Sequence, residues 1–207
     1  MFKNLAALTN NPGKDNQRRE GLIVVDDKQF IICRKKYTMQ GWYSIFLSNG
    51  FFLSYEEKLK VSQNKNGDIV ILGNAWQIDK NKLDPYKEIE YIQNEKELLK
   101  AEETWCGRYV IIFKNKIYLD ATGLLGVYYS EGVVSSSINV LCKMKGVKWE
   151  TPKLYHGVNP DFVPGAKIDD KGIFRLLISQ IYDFAENRVY TRKILNLEKY
   201  SNMNDIE

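Results

Sequence analysis

Few residues in this chain of 207 could carry catalysis or bind a metal. There are three cysteines, Cys33, Cys106 and Cys142, and a single histidine, His156. The cysteines are widely spaced and form no Cys-x-x-Cys pair, which argues against a disulfide framework and a structural zinc site. One histidine excludes multi-histidine metal sites, and a Ser-His-Asp or Cys-His mechanism would need His156. We interpret His156 as a surface or packing residue and the cysteines as small buried hydrophobes, so we predict neither a metal nor a cofactor.

Ser135, Ser136 and Ser137 could supply a hydroxyl nucleophile. A serine nucleophile of the α/β-hydrolase type lies in a Gly-x-Ser-x-Gly turn, and these serines lack that motif. The residues from Ser136 to Cys142 have the pattern of a short helix, and serine is a favoured N-cap. We therefore predict that the three serines end a strand and cap a helix.

The composition is that of a folded chain without a strong charge. Hydrophobic residues make up 44% and aromatic residues 13% of the chain, too many for a disordered protein. Thirty Lys and Arg against 26 Asp and Glu leave a net charge of +4, and because this excess is scattered we expect no nucleic-acid partner. No apolar run reaches the ~18 residues that cross a bilayer, and the first residues lack a signal-peptide pattern. We expect no membrane association and a cytoplasmic location.

Short β-branched and aromatic runs dominate the chain and predict strands. The predicted strands cover residues 22–25, 30–33, 42–47, 51–55, 68–73, 108–113, 116–120, 127–129, 132–135, 171–178 and 188–194. The first two are predicted to form a hairpin. Between about 86 and 104 the apolar spacing becomes helical, with Asn94 as a candidate cap and Glu102 among the charged residues on the other faces. This order of elements predicts an α+β fold with antiparallel pairing.

The polar ends of the chain delimit one domain. Residues 1–20 are turn-rich and predict a polar N-terminal arm. Residues 196–207 predict a polar, frayed C-terminal tail. The predicted folded domain covers residues 21–195.

Four segments between residues 107 and 141 follow one another in a distinctive order. They are Gly-Arg-Tyr-Val-Ile-Ile-Phe from Gly107, Ile-Tyr-Leu-Asp ending at Asp120, Gly-Leu-Leu-Gly-Val-Tyr-Tyr from Gly123 and Ser-Ser-Ser-Ile-Asn-Val-Leu from Ser135. This order resembles the glutamine amidotransferase-like N-terminal domain of asparagine synthetases. Upstream, Gly-Asn-Ala-Trp-Gln from Gly73 is similar in position to a glycine-containing segment of that family. The resemblance extends over about residues 67–195.

The resemblance implies a four-layer αββα sandwich, in which helices flank two antiparallel sheets as in N-terminal-nucleophile hydrolases. It places Asn74, Arg108 and Asp120 as candidate residues of a vestigial ligand pocket. The glycines predicted to allow structural turns are Gly73, Gly107, Gly123 and Gly126. Because a carboxylate after a strand can accept backbone N–H bonds and close a turn, we interpret Asp120, and Arg108 as its possible ion-pair partner, as structural.

The family's catalytic residues are missing. Its glutaminase attacks with an N-terminal cysteine whose α-amino group serves as the base, whereas this chain reads Met1-Phe2. The Arg-Gly-Pro-Asp element that helps to hold glutamine is absent from the first sixty residues, and no Ser-Gly-Gly-x-Asp-Ser or Gly-x-x-x-x-Gly-Lys-Ser/Thr phosphate loop occurs. The resemblance therefore implies a catalytically inactive amidotransferase-like protein. We expect it to act as a subunit or scaffold for a separate ATP-dependent asparagine synthetase-like enzyme in a bacterial biosynthetic or modification pathway.

Other functions remain open at this point. The chain could pair with a second copy instead of a synthetase-type subunit, or be a small-molecule or peptide-binding module. It could also be a hydrolase or transferase with a repurposed pocket, which requires titratable groups with a path to solvent near Arg108, Asp120 and Asn74. A lone domain that binds a partner should expose an apolar surface. The candidate aromatic segments for that surface are Trp42-Tyr43, Phe51-Phe52, Trp76 and Trp149.

Overall fold

A computed structural model describes residues 29–47, 50–147 and 172–192 of the chain. The predicted arm (1–20), tail (196–207) and strand 22–25 lie outside these ranges, as do His156 and Trp149. The described strands are β1 (Phe30–Cys33), β2 (Trp42–Phe46), β3 (Phe52–Glu56), β4 (Val61–Gln63), β5 (Ile69–Gln77), β6 (Trp105–Phe113), β7 (Lys116–Leu119), β8 (Tyr128–Ser130), β9 (Val133–Ser135), β10 (Phe174–Arg175), β11 (Gln180–Asp183) and β12 (Arg188–Thr191). The described helices are α1 (Pro85–Glu88), α2 (Glu95–Glu102) and α3 (Ile138–Met144).

The strands form two six-stranded antiparallel sheets. The first sheet has the order β10-β8-β9-β1-β3-β2 and the second the order β12-β11-β7-β6-β5-β4. Short turns join many neighbours in sequence. The turn between β4 and β5 shows how the local sequence closes such a turn. The Asn64 side chain accepts the N–H groups of Asp68 and Ile69, over 3.1 and 3.0 Å, and Gly67 has a φ of +76°. The predicted strand after Asn66-Gly67 is confirmed as β5.

The two sheets face each other and bury an apolar core between them. Alternate residues of each strand point into this core, as the period of two requires. The inner cluster includes Ile32 and Leu53 from the first sheet and Leu72 and Val110 from the second. Aromatic rings also join the sheets, with the Tyr129 and Tyr182 ring centroids 4.2 Å apart.

The predicted four-layer αββα sandwich is wrong, because the described part of the chain is mostly β. The three helices contain four, eight and seven residues, so at ~1.5 Å per residue the longest extends only ~12 Å. Helices this short and few cannot form two layers over six-stranded sheets. α1 and α2 pack on one part of the outer face of the second sheet, and α3 packs beside β8 and β9.

The helical pattern in the sequence is broken where Asn94 was predicted as a cap. The Asn94 side chain accepts the Glu97 N–H over 3.0 Å, which confirms this N-cap and starts α2 only at Glu95. Pro85 opens the separate four-residue α1, whose N-cap is Asp84. The apolar spacing between 86 and 104 is therefore shared between two short helices, which is why it predicted more helix than the chain has.

β1 is an inner strand of the first sheet. It lies between β3 and β9, and both pairings are antiparallel. Residues 22–25, its predicted hairpin partner, lie outside the described residues. Among the described residues, no helix is long and apolar enough to span a membrane.

Candidate functional site

β5 and β6 extend beyond the first sheet at one end. Each has nine residues and the two pair over their whole length, whereas no strand of the first sheet has more than five. Asn74 and Trp76 continue the inward-facing alternation of β5, and Arg108 and Cys106 continue that of β6. There the core ends, since Trp76 is 56% exposed, Cys106 and Arg108 are exposed, and Asn74 is half-buried. We call these four residues the open end of the second sheet.

Two glycines shape the backbone of the open end. Gly73 and Gly107 lie inside β5 and β6, not in turns, and have φ values of +97° and +131°, where residues with a Cβ are strained. A Cβ on Gly73 would lie 2.4 Å from the Arg108 carbonyl oxygen, and one on Gly107 would lie 2.2 Å from that of Asn74. The two strands approach so closely at these positions that a side chain larger than that of glycine does not fit. Asn74 faces Arg108 across the ladder.

Tyr86 of α1 holds the free edge of β5 where β4 has ended. Its hydroxyl donates to the Gly73 carbonyl oxygen and accepts the Ala75 N–H, both over 2.8 Å. The Lys60 ammonium lies 3.5 Å from the centre of the Tyr86 ring. These contacts satisfy backbone groups that β4 leaves unpaired, so the open end is held rigidly. Sequence analysis missed this role, since nothing near Tyr86 marks a contact with a strand eleven residues earlier.

Asp120 is not part of the open end. Its side chain is 1% exposed and accepts the N–H groups of Thr122, Gly123 and Tyr109 over 2.8, 3.0 and 3.3 Å. The Thr122 hydroxyl also donates to it. This is the turn-closing role that its position predicts, and Gly123 takes a φ of +60° in that turn. Among the described residues Asp120 forms no ion pair with Arg108.

Gly126 lies in the connection between β7 and β8. It lacks the positive φ of Gly73, Gly107 and Gly123. A Cβ there would lie 3.5 Å from the Tyr128 ring, an ordinary contact. Nothing in the geometry requires glycine at this position.

A buried ionic group lies on the opposite face of the second sheet. Arg192 pairs with Glu102 of α2 and donates to the Leu119 carbonyl oxygen over 2.8 Å. Burial raises the pKa of the Glu102 carboxyl, and the Arg192 guanidinium opposes this rise. Burial, with the nearby Glu102 charge, also raises the pKa of Tyr109. This group links α2, β7 and the end of β12, and we assign it to stability, because the Glu102 carboxylate is buried and the Arg192 side chain is only 19% exposed.

The serines and cysteines fall in different environments. Ser136 accepts the Phe30 N–H over 2.9 Å and Ser137 is the N-cap of α3, which confirms the predicted strand end and helix cap. Cys33 and Cys142 are buried as predicted, but Cys106 is exposed. The prediction is wrong for Cys106 because β6 continues past the covered core.

The open end holds one nucleophilic side chain among the described residues, the Cys106 thiol. Among the described residues no carboxylate or histidine is hydrogen-bonded to Cys106, and within the same ranges no group of three or more His, Cys, Asp or Glu could hold a metal. A thiol without an adjacent base is poorly activated as a nucleophile. What the open end does present is a guanidinium, an indole ring and an amide, which suit recognition.

A groove of about 420 Å³ lies elsewhere on the surface, between α1 and the turn before β5. It is lined by Lys65, Asn66, Leu83, Tyr86, Lys87, Glu90 and Tyr91. The groove mixes both signs of charge, and Glu90 already accepts the Lys65 N–H over 3.1 Å. No sequence motif points to it, and it presents no convergent set of groups for one ligand.

The aromatic residues predicted to form an exposed surface divide into two groups. Trp76 and Tyr43 are exposed, whereas Phe51 is part of the core. Trp42 and Phe52 are half-buried.

No protein-family model, no curated protein and no solved structure matches this chain. Its function therefore has to be argued from these surfaces.

Proposed function

We propose that this protein is a non-catalytic subunit that binds another protein through the open end of the second sheet. The observation that carries the proposal is the exposure of Trp76 and Arg108 at diagonal positions on one face of two paired strands, where no acid or base among the described residues is placed for catalysis. A repurposed hydrolase would need titratable groups there. Asp120, which was predicted as a pocket residue, closes a turn, and Glu102 pairs with Arg192 on the opposite face of the sheet.

The shape and residue types favour a protein partner over a small molecule. Small ligands bind in concave pockets, and the open end is an exposed sheet face. Tryptophan and arginine are enriched among the residues that contribute most to protein interfaces. Because the β5–β6 ladder and the Tyr86 hydroxyl hold the backbone under these side chains, little backbone entropy is lost when a partner binds.

The side chains also specify the chemistry of the partner surface. The Arg108 guanidinium has no hydrogen bond or ion pair with another described residue, and guanidinium groups bind carboxylates through two parallel hydrogen bonds. Trp76 lies on the same face of the neighbouring strand, diagonal to Arg108, and its indole offers an apolar surface. We therefore infer a partner surface with a carboxylate next to an apolar or aromatic side chain.

The sequence resemblance supplies the class of partner. Glutamine amidotransferase domains of asparagine synthetases pack against an ATP-dependent synthetase domain. A related chain without the N-terminal cysteine would keep such a binding role without the glutaminase. The proposed partner is thus a separate asparagine synthetase-like enzyme in a bacterial pathway, and the proposal does not require an αββα fold.

The test is recovery of that partner followed by quantitative binding. The tagged full chain is expected to recover, from its native cell, a stoichiometric protein with a synthetase phosphate loop. Trp76→Ala and Arg108→Ala should each weaken binding about 30-fold, the effect of losing ~2 kcal/mol at an interface. The matched control is Tyr91→Ala, which removes an aromatic ring that is 71% exposed elsewhere.

Two results would overturn the proposal. Binding that is unchanged in both Trp76→Ala and Arg108→Ala would show that the open end is not the interface. Release of ammonia from glutamine by the purified chain, abolished by a point substitution, would show that the protein is an enzyme.

A further inference from the structure

β2 is an edge strand with an unusual composition for its position. It lies at the end of the first sheet and pairs only with β3 among the described strands. Edge strands are normally kept from pairing with other chains by shortness, charge or proline. β2 reads Trp-Tyr-Ser-Ile-Phe, with five residues and no charge or proline. The other edge strands, β4, β10 and β12, are shorter, and the last two carry an arginine.

The outward main-chain groups of β2 follow from its pairing with β3. The Leu47 N–H donates to the Phe51 carbonyl oxygen over 2.8 Å. Because hydrogen-bonding groups alternate in direction along an antiparallel strand, the odd-numbered residues of β2 bond to β3. The N–H and C=O groups of Ser44 and Phe46 then point away from the sheet. The Trp42 C=O group also points away from the sheet, whereas the Trp42 N–H donates to the Met39 carbonyl oxygen in the preceding turn.

We propose that β2 pairs with β2 of a second copy of this chain, antiparallel and about a two-fold axis beside Ser44. A two-fold interface must be self-complementary, and β2 is chemically symmetric about Ser44. Each Ser44 would face the partner's Ser44 in a hydrogen-bonded pair. Phe46 would face the partner's Trp42, and Tyr43 would face the partner's Ile45. All these cross-strand pairs are neutral, so no like charges meet.

The area involved sets the strength of this dimer. Tyr43 is 57% exposed and Phe46 61% exposed. With roughly 200 Å² per aromatic side chain, the four rings of two copies would bury roughly 500 Å². That is below the ~1,200 Å² of a standard stable interface. Aromatic and apolar cross-strand pairs and main-chain hydrogen bonds add to it, so the dimer should be weak and depend on concentration. It uses the first sheet and does not depend on the proposed function of the open end.

The mass of the full chain in solution tests the pairing. Sedimentation equilibrium over a concentration series should show a rise from 24.1 kDa toward twice that mass. Phe46→Lys, which places a charge on the exposed edge, should weaken association at least tenfold. The matched control, Leu124→Lys, changes another exposed apolar residue and should leave association unchanged. A single monomer mass at every concentration, or a dimer that Phe46→Lys does not weaken, would overturn the proposal.

Amide hydrogen exchange gives a second readout that needs no substitution. On going from dilute to concentrated protein, the Ser44 and Phe46 amides should become protected, because they would bond to the partner. The Tyr43 and Ile45 amides already bond to β3 and should not change. Protection of Ser44 and Phe46 in the dilute monomer would mean that another part of the chain occupies this edge, and it would exclude the dimer.

Discussion

Replacement of Arg192 by methionine should destabilise the protein strongly. Methionine keeps most of the side-chain volume but removes the guanidinium that pairs with Glu102 and donates to the Leu119 carbonyl oxygen. Glu102 is only 7% exposed, so it would remain as an unpaired charge in the protein. Removal of one partner of a buried ion pair costs about 3–5 kcal/mol. At ~2–4 °C per kcal/mol for a chain of this size, the melting temperature should fall by roughly 6–20 °C.

The pH dependence of the stability lost in Arg192→Met distinguishes the effect of a buried Glu102 charge from the effect of lost side-chain packing. Burial raises the pKa of Glu102 above its usual 4.5, and without Arg192 the pKa should rise further. A carboxyl whose pKa is raised on folding lowers the free energy of unfolding at pH values above its folded-state pKa. This destabilisation decreases as the pH falls from the folded-state pKa toward the unfolded-state pKa near 4.5. The loss in Arg192→Met should therefore be greatest at neutral pH and shrink as the solution is acidified.

Urea unfolding at pH 7 and pH 5, followed by tryptophan fluorescence, measures both effects. The double variant Glu102→Gln with Arg192→Met should recover much of the stability, because it leaves no buried charge. Arg188→Met, the same substitution at an exposed position of β12, should cost less than about 1 kcal/mol. Two results would refute the role of the buried Glu102 charge. One is a loss of unfolding free energy in Arg192→Met as small as that in Arg188→Met, and the other is a loss that is the same at both pH values.

Two further substitutions test the backbone at and behind the open end. Gly107→Ala should lower the unfolding free energy by at least about 1–3 kcal/mol through strain and the clash with the Asn74 carbonyl. Gly132→Ala, where φ is +69° but nothing lies within 4 Å, should cost less in the same thermal melts, and an equal loss would count against the clash. Asp120→Ala should cost about 1–3 kcal/mol by unpairing buried N–H groups. Asp79 is a half-buried turn acceptor whose carboxylate takes a solvent-exposed hydrogen bond from the Asn81 N–H. Its change to alanine should have little effect in parallel urea titrations, and a matching loss would show that burial is not the cause.

Most of the described strands could be predicted from local runs of residues, but β4 and β11 were not predicted. Runs of β-branched and aromatic residues predicted strands over 30–33, 42–47, 51–55, 68–73, 108–113 and 116–120, and these are confirmed as β1, β2, β3, β5, β6 and β7. The prediction for β5 stopped at Gly73, since glycine usually weakens a strand. Here it allows close approach of two strands, so β5 continues to Gln77.

Contacts between distant residues could not be predicted from local pattern. Glu102 was placed among the solvent-facing charges of a helix, yet it is buried because Arg192, ninety residues later, pairs with it. The αββα prediction failed for a similar reason, since resemblance in the order of segments does not fix how long the helices are. The resemblance grouped Asn74, Arg108 and Asp120. Asn74 and Arg108 lie opposite each other, whereas Asp120 closes a separate turn.

The open end results from unequal strand lengths in the two six-stranded sheets, and the β2 edge results from the open ends of the sandwich. A nine-residue strand extends ~30 Å, whereas four to five residues extend ~13–17 Å, so the first sheet can cover only about half of β5 and β6. A sandwich that is not closed into a barrel also keeps an edge strand at each end of each sheet. The uncovered positions hold an arginine with no hydrogen-bond or ion-pair partner among the described residues, a tryptophan on the same face, and the uncharged aromatic edge of β2. Solvated positions favour lysine and glutamate, and this difference in residue type is the observation on which both binding proposals rest.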